Sequence, residues 1–233
     1  MNPVAERFTK LALERFPVND LVVREQDDPF AVSVECDFES IGRISVEPLS
    51  EGHFSAMHEF LDLNHSGWGL SRHSLKPFES HPANAQGLSE ILERVTSRID
   101  ARFVIVTAGH IIGYLVLEEV GCLLVGEKTF TGDEHDAELD IGVSERFQGM
   151  GLGSFAMLFY KLVAAIAGVG LGLTCSEERR GFYEKHGFVR AGEKRFYSPA
   201  RGEHFTSPWY RLEHNEVAAG SDQHTDRIQQ GHG

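Results

Sequence analysis

The segment Gln148-Gly149-Met150-Gly151-Leu152-Gly153 sets three glycines at alternate positions just before an apolar, helix-forming run. With no Cβ at those positions, successive backbone N–H groups can converge on one anion, and the helix macrodipole adds positive potential at the same place. A tight strand-to-helix turn would use the same residues, so the loop taken alone leaves both readings open. Just upstream, Ala137-Glu138-Leu139-Asp140-Ile141-Gly142-Val143 alternates, with Leu139, Ile141 and Val143 on one face and Glu138, Asp140 and Gly142 on the other. Two carboxylates thus share a sheet face, where they can accept a proton or simply form the solvated side of a half-buried strand. Two nucleotide chemistries fit poorly. A P-loop ends in Gly-Lys-Ser/Thr, and here Gly153-Ser154 has no preceding lysine. A dinucleotide site needs G-x-G-x-x-G and an acidic residue about 20 positions on. The glycines here run G-x-G-x-G, and Leu173 to Ser176 offers no carboxylate. His65, His73, His81 and His110 fall in loops or turns without the i,i+4 pairing of helical metal sites, which makes them surface or substrate-loop residues. Cys36, Cys122 and Cys175 are odd in number and widely spaced, as in a reducing, cytoplasmic setting, and Cys175 reads as a buried structural thiol.

The elements that must position these groups follow from periodicity. Val4, Phe8, Leu11, Leu13 and Phe16 have helical spacing that Pro17 ends, and an acidic, irregular stretch follows. Ile41, Ile44, Val46 and Leu49 suggest a first strand, and Phe54, Met57, Phe60 and Leu61 a helix after it. Asn64 to Gln86 is a long loop without a clear period, and a helix is expected near 88 to 99. Residues 103 to 107 and 111 to 117 flank Ala108-Gly109-His110 as a β-hairpin. The glycine loop leads to a helix through Leu152, Phe155, Leu158, Phe159, Leu162 and Ile166, and then to a strand from Leu171 to Cys175. A short helix near 178 to 186, a turn at His186-Gly187, a strand from Phe188 and a terminal strand near 208 to 212 complete the order. From His214 the composition reads as a disordered tail.

Composition bounds the function. The 233 residues carry 35 acidic against 22 basic groups, a formal charge of −13, so the summed field repels nucleic acid and anionic lipid and favours cationic partners such as amines. Residues 1 to 7 lack the basic start and apolar run expected of a signal peptide, and the most apolar stretch, Phe155 to Leu173, is broken by Lys161 and three glycines, unlike a membrane span.

Two motifs together resemble a known family. Val143 to Gly153 is similar to the pyrophosphate loop of the GNAT superfamily of N-acetyltransferases, Gln/Arg-x-x-Gly-x-Gly/Ala. Phe182-Tyr183-Glu184-Lys185-His186-Gly187-Phe188 is similar to that family's tyrosine-containing helix and Gly-Phe turn. The resemblance implies an α/β (α+β) fold with a mixed, largely antiparallel central sheet flanked by helices and splayed near the Val143 strand. It implies an acetyltransferase domain over 41–213, with an N-terminal extension carrying a helix over 1–40 and a tail over 214–233. The expected reaction is acetyl transfer from acetyl-CoA to a primary amine by direct attack in a ternary complex; the alternative is a non-catalytic CoA-binding regulatory module. Pyrophosphate binding is carried over to Gln148, Gly149, Gly151, Gly153 and Ser154, and pantetheine hydrogen bonding to the backbone of Ile141 and Val143. Gly142, Met150 and Leu152 belong to the same cofactor surface, as does Ser176, which replaces an asparagine found in many members. Tyr183 is the expected general acid and Glu138 the favoured base, with Asp140 beside it. No metal is implied. The acceptor is a small molecule or peptide amine, read by the 64 to 86 loop and the segment from Tyr197 to Ser207, and a homodimer is left open.

Overall fold

The computed structural model describes residues 2–63, 93, 100–118, 136–198 and 203–212. The chain opens with helix α1 (Pro3–Arg15), which Asn2 caps by accepting from the Val4 N–H at 2.9 Å, with Pro3 in the first turn where its missing donor costs nothing. Its buried face is Ala5, Phe8 and Ala12, whereas Leu13 is 49% exposed, so the stripe is narrower than the apolar spacing suggests. The stretch after Pro17, expected to be irregular, instead forms strands β1 (Val18–Arg24) and β2 (Ser33–Phe38). Its acidic residues obscure the pattern, yet Val34, Cys36 and Phe38 alternate into the core while Glu35 and Asp37 turn outward to Arg24 and Arg43.

Next come β3 (Gly42–Pro48), which the sequence suggested as the first strand, and α2 (Phe54–Leu63). Strands β4 (Ala101–Thr107) and β5 (His110–Glu118) make the expected hairpin, and positive φ at Ala108 (48°) and Gly109 (80°) gives its two-residue turn the twist that joins antiparallel strands. Strand β6 (Asp136–Val143) leads through the glycine loop into α3 (Leu152–Ala167), then β7 (Gly170–Thr174), α4 (Glu177–Glu184), β8 (Val189–Ser198) and β9 (Glu203–Leu212). The sheet order is β1-β2-β3-β4-β5-β6-β7-β9-β8, and among the described residues only β6 and β7 pair in parallel. The loop expected at 64 to 86, the tail expected from 214, Cys122 and all but Glu93 of the helix expected near 88 to 99 lie outside the described residues; Glu93 is helical, as expected.

Two apolar layers flank the sheet. α1 and α3 cover one face, where Phe155 at the start of α3 meets Phe8, Phe16 and Phe38 edge-on at 6.1, 5.5 and 5.8 Å between centroids. α2 covers part of the other through Phe54, Met57 and Phe60 against Val104, Tyr114 and Val116. Beneath it the buried Arg102 guanidinium bridges Asp100, at 2.9 Å, and the Tyr114 hydroxyl, so the buried charge is paired. Tyr160 of α3, fully buried, inserts its hydroxyl between β5 and β6. It accepts from the Val116 N–H at 2.7 Å and donates to the Asp140 carbonyl, although Val116 and Asp140 are direct register partners.

Candidate functional site

The parallel pairing of β6 with β7 runs from Asp136↔Gly170 to Glu138↔Gly172 and goes no further among the described residues. Both strands continue, β6 to Val143 and β7 to Thr174, so they diverge where the splay was expected. A cleft of about 450 Å³ opens there, lined by Ile141, Val143, Gln148, Gly149, Gly151, Gly153, Ser154, Arg179, Phe182, Tyr183 and Lys185. Its volume is in the range of small-molecule and cofactor sites.

The loop at its floor is held from both sides. The Gln148 side-chain amide donates to the Val143 carbonyl at 3.0 Å, tying the loop back to the end of β6, and the Ser144 N–H bonds the Ile112 carbonyl of β5 at 2.9 Å. Gly151 caps α3 in the left-handed region, φ +88°, which a side chain there would strain, and its carbonyl accepts the first helical bond from Phe155. The first-turn amides of α3 thereby face the cleft without a side-chain cap, as an anion site requires.

Tyr183, on α4, is 7% exposed and packs edge-on to Phe182 at 5.1 Å and Phe188 at 6.0 Å. Burial, and next the Asp140 carboxylate, push its hydroxyl well above the ordinary tyrosine range, so it holds its proton at neutral pH. Behind the loop, His186 Nε2 lies 3.1 Å from the Ser154 hydroxyl and its ring packs against Phe182. Burial, then Lys161, Lys185 and Arg15, bring the imidazole down to about 4, so it is neutral at pH 7.

Of the residues expected from sequence, Ile141, Val143, Gln148, Gly149, Gly151, Gly153, Ser154 and Tyr183 come together around the cleft. Gly142, Met150, Leu152, Ser176 and Glu138 are not among its lining residues. Gly142 is buried and, by strand alternation, faces away; Met150 is 38% exposed; Leu152 is in the core; Ser176 is exposed at the start of α4. The Ile141 N–H already donates to Asp140 Oδ1 at 2.9 Å. Glu138 ion-pairs with Lys194, whose ammonium lies 4.9 Å from the centre of the Trp209 ring. That ring lies directly over Gly172. Arg179, Phe182 and Lys185 were missed as lining residues. Phe182 and Lys185 flank Tyr183 within the motif already recognised, and one-turn spacing on α4 could have found Arg179.

Comparison with known proteins bears on the fold and on part of the sequence. Residues 100–190 match the family model described as an acetyltransferase (GNAT) domain. No curated protein sequence matches the chain. Among solved structures, the spermidine/spermine N-acetyltransferase of Vibrio cholerae is 17% identical, covers 77% of this chain and 97% of its own, and superposes with a TM-score of 0.53. The ribosomal-protein-S5-alanine acetyltransferase of Vibrio fischeri is 15% identical, with 84% and 98% coverage and a TM-score of 0.54. A GNAT-family acetyltransferase of Streptococcus pneumoniae is 15% identical, with 72% and 98% coverage and a TM-score of 0.51. At such identity the likeness is one of fold, and what the family model adds is a match of residues 100–190 to the GNAT acetyltransferase domain.

Proposed function

We propose that the chain transfers an acetyl group from acetyl-CoA to a primary amine, both bound at once. The observation that carries this reading is the cleft itself. It joins a glycine-rich loop at a helix N-terminus to a gap between two parallel strands and to a buried, protonated tyrosine. The residues fit the cofactor's chemistry. Arg179 and Lys185 put positive charge at the cleft of a chain whose net charge is −13, which suits a phosphate-bearing ligand, and the apolar Ile141, Val143 and Phe182 suit a thin, mostly neutral arm. Acetyl-CoA supplies an activated acyl group; the protein's share is to orient it, to take a proton from the amine and to return one to the thiolate.

Tyr183 is assigned the second proton transfer, because it lines the cleft where the thiolate would form and carries its proton at neutral pH. For the first, Glu138 and Asp140 share the sheet face opposite Leu139 and Ile141. Both therefore look, like Gly142, away from the face that Ile141 and Val143 turn to the cleft. Glu138 is tied to Lys194, while Asp140 lies beyond the last β6–β7 pair, where the strands part, and its field reaches Tyr183. We therefore assign the base role to Asp140 ahead of Glu138, acting on an amine that approaches from that far face. The acidic face suits an amine that arrives as a cation. The names of two fold relatives, a spermidine/spermine N-acetyltransferase and a ribosomal-protein-S5-alanine acetyltransferase, give one small-molecule and one protein acceptor, the two classes open to this chain.

Thermal unfolding with and without acetyl-CoA tests the reading, with the Gly151→Trp variant as control. At a hundredfold excess over Kd, binding adds about 2.7 kcal/mol. The parent's Tm should rise and the variant's should not. An amine panel then separates enzyme from binding module: Tyr183→Phe should lower kcat about 10²-fold or more with Kd unchanged. Binding without turnover across the panel would favour the non-catalytic reading, and no shift in a folded parent would refute the cofactor assignment.

A further inference from the structure

The acetyltransferase match begins at residue 100, yet the cofactor loop rests on residues far upstream of it. A Cβ at Gly151 would stand 3.8 Å from Phe38 Cζ and 3.9 Å from Phe16 Cδ1, so the rings of Phe38 (β2) and Phe16, just past α1, form the surface beneath the loop. Both rings also hold Phe155, in the first turn of α3, edge-on. The C-terminal end of α1 is therefore fixed beside the anion site, and Arg15 occupies its last turn.

Around that point the charge reverses the sign of the whole molecule. Lys185 lines the cleft, Lys161 Nζ lies 4.0 Å from where a Gly187 Cβ would be, and Ser154, which also lines the cleft, is 3.1 Å from His186 Nε2. Arg15, in the last turn of α1 and adjacent to the Phe16 ring that lies against Gly151, brings a third cation to the same end of the loop, and the charges of all three bear on the His186 imidazole. In a chain with 13 more acidic than basic groups, three cations from α1, α3 and the end of α4 meeting at one point call for an anionic partner.

We propose that α1 completes the cofactor site: Arg15, with Lys161 and Lys185, receives the phosphate monoester at the 3′ position of the cofactor's ribose, while Phe16 holds the loop for the pyrophosphate. The inference rests on the acetyl-CoA reading above and extends it to a segment outside the matched domain. A monoester dianion bears more charge than a diphosphate diester oxygen, so it gains most from several converging cations.

Titration calorimetry of the full-length protein with CoA and with 3′-dephospho-CoA tests it. The parent should bind CoA about 10-fold or more tightly than the dephospho form, and rising salt should narrow the gap. Arg15→Gln should cut that preference several-fold while leaving dephospho-CoA binding unchanged, and Arg15→Lys should restore most of it, a pattern that a merely structural role of Arg15 would not produce. Equal binding of both ligands by the parent, or an Arg15→Gln variant with undiminished preference, overturns the proposal but not the acetyl-CoA reading. Binding of neither ligand by the folded parent overturns both.

Discussion

Replacing Tyr160 by phenylalanine removes one oxygen from the centre of the protein and asks what that oxygen does. The hydroxyl stands between two register partners, accepting from Val116 N–H at 2.7 Å and donating to the Asp140 carbonyl, with the Val116 carbonyl 3.2 Å away. Without it a buried donor and a buried acceptor lose their partner, at about 1–3 kcal/mol for each group left unsatisfied, offset in part because the phenol no longer has to be desolvated. The expected net loss is about 2–3 kcal/mol, or about 5–10 °C in Tm for a chain of this length. Urea unfolding of parent and variant measures it. The strands have one escape, which is to close and make the direct Val116–Asp140 bond that a regular ladder would contain. Closure would spare stability but draw β6 away from β7, widening the gap lined by Ile141 and Val143 and weakening CoA binding. Calorimetry with CoA therefore accompanies the unfolding curves. A loss below about 0.5 kcal/mol together with unchanged CoA affinity would refute the argument that the hydroxyl is a structural spacer, because one of the two must change.

Two further perturbations test separate parts of the reasoning. In Gly172→Ala the new Cβ would sit 2.1 Å from Trp209 Cζ2 and 2.4 Å from Cη2, so the ring must move; with Trp209 only 5% exposed, the expected cost is about 1–3 kcal/mol or more. An unchanged unfolding midpoint would show that the indole is not confined as described. His186 should make stability depend on pH. Folding lowers its value from 6.5 to about 4, so the unfolded chain binds a proton that the folded one refuses; the stabilisation is complete above about pH 6.5 and is lost as pH falls toward 4. The full shift corresponds to at most about 3 kcal/mol, which partial exposure reduces to about 1–2 kcal/mol. His186→Asn should flatten the stability slope across that window, and a slope equal to the parent's would refute the assignment.

The legible parts of the fold are those where one period dominates. The β4–β5 hairpin, the alternation of β6, the glycine loop and α3 all stand out because local pattern and tertiary role agree there. β1 and β2 were hidden. Their outward positions carry Asn19, Asp20, Glu35 and Asp37, and strand formation depends on pairing with β3 and on arginines that sequence alone does not bring near. In the site, the eight cleft residues foreseen come from two contiguous motifs in which backbone shape and spacing carry the signal. The Lys194–Glu138 pair and the rings of Phe16 and Phe38 under Gly151 escaped because each joins elements far apart in the chain, whereas Arg179, one turn before Tyr183 on α4, was within reach of helical spacing. Residue type foretold that Glu138 would be on the polar face; that Lys194, 56 positions away, would claim it depends on the β7–β9–β8 order.

Among the described residues, β1 lies at one outer margin of the sheet, and its outer side has no strand partner. Such a margin is a template on which another chain's strand can be laid, and the exposed Val22 would add an apolar attraction. The β1–β2 ladder, however, slips between Asn19 and Val22, where Asp20 adopts a φ of 47°. An incoming strand would find that row of donors and acceptors out of step at the third residue, with a carboxylate beside the break. The irregularity costs the protein one even stretch of ladder and, in return, leaves a growing aggregate nothing straight to extend.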